Sequence, residues 1–156
     1  GTEHRKFLRQ IMVSVDLTLP IYMWSEFDTY KVGVTRNSCS TMHTLTKRLL
    51  TVEDFEPPMK ADYLHNINQA LLQYMAIINS DYGLDTSDKN LKEETFQLIK
   101  GLLPSAFLQK ATITANYEVL LTMYQQRKNH RLPQWHTICE WIAELPMMDK
   151  FINILE

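Results

Sequence analysis

The stretch that decides the fold is KGLLPSAFLQKATITANYEVLLTMYQQRKNHRLPQW, residues 100–135. It begins with a Leu-Pro corner, continues through an alternating segment typical of a strand, and takes on a helical pattern from Asn116 onward. A basic turn that contains a histidine follows. Three side chains in this stretch could bind an anionic ligand: Lys100, Arg127 and His130. We expect the rest of the chain to bring a second basic surface, around Lys31 and Ser40, to meet it.

Length and composition indicate a globular protein. The 156 residues are expected to form a single domain, residues 1–156, that buries its own core. The hydrophobic fraction of 45% and the charged fraction of 22% are ordinary for this class. The net charge of −2 gives no general attraction to nucleic acid or to a membrane, so neither is expected as a partner. No apolar run approaches the ~18 residues that a membrane span needs.

The state of the two cysteines indicates the cellular compartment in which the protein is expected. Cys39 and Cys139 could form a disulfide, or they could be two free thiols in a reducing cytosol. The second interpretation is favoured, and it predicts a cytoplasmic protein.

The first part of the chain has the pattern of a strand followed by a helix. Lys6–Leu19 alternates between apolar and polar positions with β-branched residues, which predicts a half-buried strand. Pro20 ends it and suits the first turn of a helix over Ile21–Tyr30. Trp24 and Phe27 share one face of that helix, either as packed core, which is favoured, or as a ring-stacking surface.

The next segment is polar. Lys31–His43 is predicted to be a loop whose hydroxyl groups either hold a phosphate or cap the following helix, and capping is favoured. Thr44–Leu50 is predicted to be a short helix, and Glu53–Pro58 a breaker.

Helical spacing dominates the rest of the chain. The predicted helices are Ala61–Asp81, Leu91–Leu102, Asn116–Gln126, Pro133–Leu145 and a short one within residues 147–156. Phe107–Thr114 is predicted to be a strand. The chain as a whole is therefore predicted to be α+β, with few strands and four or five helices.

Most catalytic motifs are absent. No G-x-S-x-G elbow and no glycine-rich nucleotide-binding pattern is present, although a Ser-His-Asp arrangement stays open. His136, Cys139 and Glu140 share a helix face, but no second Cys or His pair accompanies them, so no metal is expected. The remaining signal is the pair of basic, hydroxyl-rich surfaces, which suits an anionic planar ligand such as a nucleotide. The alternative is that these cations are merely solvated.

Residues 100–135 resemble the flavin-dependent thymidylate synthases. That family has a basic residue shortly before a Leu-Pro corner, an Asn twelve residues after the Pro, and an Arg eleven residues after the Asn. A short turn with a His and a Gln-Trp pair follow. The matching residues in this chain are Lys100, Leu103-Pro104, Asn116, Arg127, His130 and Gln134-Trp135, with the turn shifted by about one residue.

The first half looks similar but is degraded. The family has an apolar strand ending in Pro, an aromatic helix, an Arg-His-Arg signature, and later an Asn-Glu-x-Ser-x-Arg run. This chain has Thr29-Tyr30-Lys31 at the signature, which keeps one cation and loses the His. In the later run Asn37 and Ser40 match, but Ser38 replaces the Glu and Met42 replaces the last Arg.

The resemblance implies an α+β fold with an antiparallel sheet flanked by helices, assembled as a homotetramer with active sites between subunits. It also implies methylation of deoxyuridylate with FAD, NADPH and methylenetetrahydrofolate. Arg127 would contact the pyrimidine ring as the catalytic residue, where a cation stabilises developing negative charge. Further substrate-binding positions would be Asn37, Ser40 and Lys100, and the flavin-binding positions would be Lys31, Asn116 and His130.

The departures leave alternatives open. Loss of the Arg at Met42 removes a charged hydrogen bond worth about 1.5–3 kcal/mol. The chain could therefore be an active enzyme of this kind, a catalytically inactive nucleotide-binding relative, or an interaction module on the same fold. A helical interaction domain with solvated basic residues is the remaining possibility.

Overall fold

The structure, a computed structural model, describes residues 2–79 and 86–155. It confirms the predicted α+β class with an antiparallel sheet and several helices. The strands are β1 (Met12–Pro20), β2 (Val34–Ser38) and β3 (Leu108–Asn116). The α-helices are α1 (Ile21–Phe27), α2 (Thr41–Thr44), α3 (Ala61–Asn79), α4 (Thr86–Leu102), α5 (Tyr117–Arg127), α6 (Pro133–Glu144) and α7 (Met148–Leu155). Short 3₁₀ helices cover Thr2–Gln10, Asp28–Tyr30 and Val52–Asp54.

The sheet has the strand order β1-β3-β2, so β3 is the central strand. From Met12 to Leu19 the odd-numbered side chains of β1 are more buried than the even-numbered ones, which confirms the predicted alternation. The predicted strand was wrong over Lys6–Gln10, where the chain is helical. Leu8 is the buried residue there, at 1% exposure, and it lies out of step with the odd-numbered face of β1. The strand register therefore cannot extend back through this segment.

Two predictions in the polar region were wrong. Lys31–His43 is not one loop, because residues 34–38 form β2 at an edge of the sheet and α2 begins at Thr41. Thr44–Leu50 is not a helix, because α2 ends where that helix was predicted to start. The Asn68 side chain instead bonds both backbone groups of Leu50, N–H to Oδ1 at 2.8 Å and Nδ2 to the carbonyl at 2.9 Å. These bonds hold the backbone at Leu50 outside a helix.

The other helix predictions were confirmed. α1 runs directly after Pro20 and is extended by the 3₁₀ turn to Tyr30. α3 begins at Ala61 as predicted and is described to Asn79; the last two residues of the prediction lie outside the described part. α4 begins five residues before the predicted start, and α6 begins at Pro133, in the first turn that proline favours.

The contacts divide the chain into two compact units. Unit 1 takes residues 1–17, 25–37 and 111–156, and unit 2 takes residues 18–24 and 38–110. The buried core of unit 1 includes Phe27, Ile113, Leu120, Met123, Trp135 and Ile142. The core of unit 2 includes Leu45, Phe55, Ile67, Leu71, Ile99 and Phe107. Burial of these apolar surfaces is the main driving force for folding each unit. The single-domain expectation stays a prediction.

Trp24 and Phe27 are both core residues, at 2% and 1% exposure, which favours the packing interpretation. Both cysteines are free thiols, Cys39 exposed and Cys139 buried, in agreement with the prediction. Within residues 2–79 and 86–155, no helix combines the length and the apolar character that crossing a membrane requires.

Candidate functional site

Arg127 lies at the end of α5 in unit 1, and its side chain is engaged rather than solvated. Its Nε donates to the Tyr30 hydroxyl at 3.0 Å, and its Nη1 lies 3.3 Å from Glu26 Oε2. The guanidinium carbon sits 5.0 Å from the centre of the Trp135 ring and 5.7 Å from that of Tyr30, within cation–π range. The side chain is only 20% exposed. The cation predicted to contact a ligand is therefore held in one orientation.

The Glu26 carboxylate is the common partner of the hydrogen-bond donors that surround Arg127. Its Oε2 accepts a hydrogen bond from Trp135 Nε1 at 2.8 Å and lies 3.5 Å from His130 Nε2. His130 Nδ1 accepts from the Leu132 backbone N–H at 3.2 Å, which assigns the ring proton to Nε2, on the Glu26 side. In that tautomer the imidazole is neutral. The structure thus brings Arg127 and His130 together around one carboxylate. We refer to the following five residues as the Arg127 cluster: Glu26, Tyr30, Arg127, His130 and Trp135.

The sequence explains why these groups meet. Trp135 is fully buried in the first turn of α6 and stacks on Phe27 of α1, with ring centres 5.8 Å apart and planes 6° apart. This stack fixes the end of α1, which carries Glu26, against the indole N–H. An indole N–H that enters a core needs an acceptor, and the Glu26 carboxylate provides it.

Lys31 and Asn116, predicted to bind cofactor, line one cavity of about 460 Å³ in unit 1. Its other lining residues are Arg9, Thr29, Tyr30, Val32, Glu118, Val119 and Thr122. Arg9 is bonded to Glu118, and that bond raises the pKa of the Arg9 guanidinium. Lys31 is exposed, and no ion pair involves it in the part of the chain that the structure describes.

Asn116 has a structural role as well. It is the N-cap of α5, and its Oδ1 accepts from the Val119 backbone N–H at 3.0 Å. Its Nδ2 lies so close to Gly33 that a Cβ on Gly33 would be 2.7 Å away. Gly33 also has φ +92°, where side-chain-bearing residues are strained. The close approach of the Asn116 side chain to the Gly33 backbone thus depends on glycine.

Lys100, predicted to bind substrate, lies in unit 2. Its Nζ donates to the hydroxyl of Thr41, the residue that follows Ser40 in the sequence. Lys100 lines a cavity of about 660 Å³ with Tyr74 and Phe96, whose rings are 5.8 Å apart. Thr41 lines another of about 490 Å³. This contact joins the two predicted substrate-binding segments within unit 2.

The seven predicted residues therefore fall into three groups and one single position. Arg127 and His130 share Glu26, Lys31 and Asn116 share a cavity, and Lys100 contacts the residue next to Ser40. Asn37 is exposed in β2. Among the described residues, no group of three His, Cys, Asp or Glu side chains could hold a metal ion.

The sequence does not single out Glu26 among the candidate carboxylates Asp16, Glu26 and Asp28, and it does not indicate the role of Tyr30. Glu26 lies more than a hundred residues from Arg127 and Trp135, so no local spacing connects them. The available signal was weaker: one acidic residue within an aromatic helix that also carries the core residues Met23, Trp24 and Phe27. A carboxylate in that position needs a buried donor or cation as partner.

No family profile and no curated protein matches this chain. The solved structures that match include two crystal structures of the flavin-dependent thymidylate synthase ThyX from Helicobacter pylori, each with FAD and dUMP. For each, the TM-score is 0.66, the sequence identity is 13%, and the match covers 97% of this chain and 75% of the other. Likeness at this identity concerns the fold alone. The predicted fold class, α+β of the flavin-dependent thymidylate synthase kind, is thereby confirmed.

Proposed function

We propose that this protein binds a pyrimidine nucleotide and FAD, and that it methylates deoxyuridylate or carries out a related nucleotide reaction. The observation that carries the proposal is the fold likeness along 97% of the chain to structures that hold FAD and dUMP. The spacing of Lys100, Asn116 and Arg127 supports it independently, because this spacing is a property of the sequence alone.

In this proposal the protein positions its ligands and supplies electrostatic stabilisation. Arg127 donates to a carbonyl of the pyrimidine ring, where negative charge develops during attack at the ring. Its fixed orientation on Trp135 and Tyr30 suits this role, because a held donor costs no reorganisation during the reaction. Lys100 and Ser40 of unit 2 and Asn37 of unit 1 stay predicted substrate-binding residues in this proposal, with Lys100 as the charge partner of a phosphate.

The residues of the unit 1 cavity fit part of a flavin. Its volume of about 460 Å³ lies within the usual range for ligand sites. Lys31 offers a charge, Asn116 Nδ2 an amide donor, and Thr29 a hydroxyl, which are the groups that a flavin ring edge or a phosphate requires. His130 was predicted as a further flavin contact and stays so. When bound, FAD would supply the redox chemistry of the reaction, with NADPH and methylenetetrahydrofolate as co-substrates.

A second candidate is a nucleotide-binding relative without catalysis. The observation in its favour is that Tyr30, which stands where the family has the signature His, bonds Arg127 Nε, while Glu26 neutralises the guanidinium. A neutralised cation stabilises developing negative charge less well. This candidate predicts nucleotide binding with no product.

Assembly and compartment belong to the same proposal. The resemblance implies a homotetramer whose sites lie between subunits, and the two free thiols suit a reducing compartment such as the cytoplasm.

The test begins with purified protein. We expect a flavin absorbance at about 450 nm, either as purified or after FAD is added and excess removed. Methylation at C5 of the pyrimidine releases the C5 hydrogen, so deoxyuridylate carrying a C5 tritium label then reports turnover. Release of tritium supports the enzyme, and FAD and nucleotide binding without release supports the second candidate. A protein that takes up neither ligand rejects both.

Lys31→Ala is the informative variant for the flavin, and Lys60→Ala, an exposed lysine of unit 2, is its matched control. We expect FAD retention to fall in the first and to stay unchanged in the second. Equal retention in both would remove Lys31 from the proposed flavin site.

A further inference from the structure

We infer that Glu26 is a specificity-determining residue, which restricts Arg127 to ligand groups that are uncharged where they meet it. The inference rests on the proposed function in taking Arg127 to be a ligand contact. It goes beyond that function because it assigns a role to a residue on α1 and states which part of a ligand Arg127 can accept.

The first step is the charge balance of the Arg127 cluster. Glu26 Oε2 lies 3.3 Å from Arg127 Nη1, and both side chains are largely covered, at 32% and 20% exposure. His130 is neutral in the tautomer that its bond from Leu132 requires. Within residues 2–79 and 86–155, no second carboxylate pairs with Arg127. The cluster therefore carries one positive and one negative charge, and its sum is close to zero.

The second step is the set of donors that remain. Nε is used by Tyr30 and Nη1 by Glu26, and the faces of Trp135 and Tyr30 lie against the guanidinium. Among the described contacts of Arg127, Nη2 is the nitrogen with no partner. A ligand with one or two hydrogen-bond acceptors can thus use the N–H groups of Nη2 and the second N–H of Nη1.

The third step compares two ligand groups at that edge. A neutral carbonyl gains a hydrogen bond from a charged donor and has little repulsion from Glu26. A phosphate at the same place would lie within a few ångströms of the Glu26 carboxylate, and like charges repel at that distance even though Glu26 is 32% exposed and solvent screens part of the effect. Glu26 therefore lowers the affinity of Arg127 for anions much more than its affinity for carbonyl groups. Glu26 therefore directs the phosphate of a nucleotide away from Arg127.

Glu26→Gln tests this directly. The amide oxygen can still accept from Trp135 Nε1, which keeps the core contact at 2.8 Å, while the negative charge is gone. The probes are inorganic phosphate, which is anionic, and deoxyuridine, which is neutral, each titrated by calorimetry. We expect phosphate to bind at least about tenfold more tightly than to the wild type, and deoxyuridine to change less than about threefold.

Three further variants make the result specific. In the double variant Glu26→Gln with Arg127→Gln, the gain for phosphate should disappear. Glu26→Asn should show the same gain if Glu26→Gln fails to fold, since it also removes the charge and keeps an amide oxygen as an acceptor. Asp28→Asn is the matched control: it removes one negative charge two residues away that pairs with Arg36 at 3.1 Å, and it should leave phosphate binding unchanged.

Three results would overturn the inference: folded Glu26 variants that bind phosphate no better than the wild type, a gain that persists without Arg127, or an equal gain for deoxyuridine. A purely structural role for Glu26 would not change the ratio of the two affinities. Failure of the wild type to bind deoxyuridine would count against the proposed function alone, because the phosphate titrations decide the role of Glu26.

Discussion

Substitution of Gly33 by alanine should destabilise the protein and weaken the candidate flavin cavity together. The new Cβ would lie 2.7 Å from Asn116 Nδ2, closer than such contacts occur, and the backbone φ of +92° is unfavourable for alanine. The backbone conformation costs about 1–3 kcal/mol. Displacement of the Asn116 side chain also weakens the N-cap hydrogen bond of α5, and loss of that bond costs about 1 kcal/mol more.

The expected loss of unfolding free energy is therefore about 3 kcal/mol. For a protein of this size, about 2–4 °C of melting temperature accompanies each kcal/mol, so the midpoint should fall by about 6–12 °C. Circular dichroism during urea and thermal unfolding measures both quantities. FAD retention should fall as well, because the displaced Asn116 amide lines the cavity.

Gly101→Ala is the matched control. Gly101 lies in α4, and a Cβ there meets nothing within 4 Å. The same chemical change should raise stability by up to about 1 kcal/mol, because alanine favours a helix. The reasoning is refuted if Gly33→Ala unfolds within about 0.5 kcal/mol of the wild type, the usual range for an inert surface substitution.

Two further predictions follow from pKa directions. Hydrogen bonds from Arg48 and from Thr51 lower the pKa of Asp54 below its unfolded value of 3.8, so Asp54 contributes stability that is present above pH 3.8 and is lost as pH falls below it. Asp54→Asn should therefore cost about 1–2 kcal/mol at pH 7, and this cost should shrink as the pH is lowered below 3.8, measured by urea unfolding; a cost that does not change with pH would contradict this. Burial, with Glu140 nearby, raises the pKa of Cys139 to about 11, so at pH 7 a thiol reagent should label exposed Cys39 in the native protein and both cysteines only after unfolding. Rapid native labelling of Cys139 would show that its surroundings are more open than described.

Much of the fold could be predicted because the decisive signals are local. The alternation in β3, the capping Asn116 and the helical spacing of α5 lie within twenty residues of one another, and each is a property of short-range backbone chemistry. α3 was predictable from its apolar period for the same reason.

The errors lie where a distant partner decides the conformation. β2 has the sequence VTRNS, with one apolar residue, and becomes a strand through pairing at the sheet edge. The segment after α2 has the composition of a helix, but Asn68 of α3 bonds the backbone of Leu50. Tertiary contacts overrode local propensity in both cases.

The candidate site was predictable in part for the same reason. The residues that share a fixed spacing, Asn116 and Arg127, were found in the stretch that carries it. Glu26 was not, because its importance arises only when α1 and α6 pack through Phe27 and Trp135. The spacing along the chain thus identifies the cation Arg127 but not the carboxylate that pairs with it.

The most direct test of the central claim is the affinity for deoxyuridylate of the wild type, Arg127→Ala and Arg131→Ala, measured by calorimetry with excess FAD present. Arg131 is an exposed arginine of the same turn and controls for net charge. We expect measurable binding that weakens about tenfold to a hundredfold in Arg127→Ala, equivalent to a charged hydrogen bond of about 1.5–3 kcal/mol, and stays unchanged in Arg131→Ala. Wild-type protein that gives no binding heat, or equal affinities in all three proteins, would contradict the claim that Arg127 belongs to a nucleotide site.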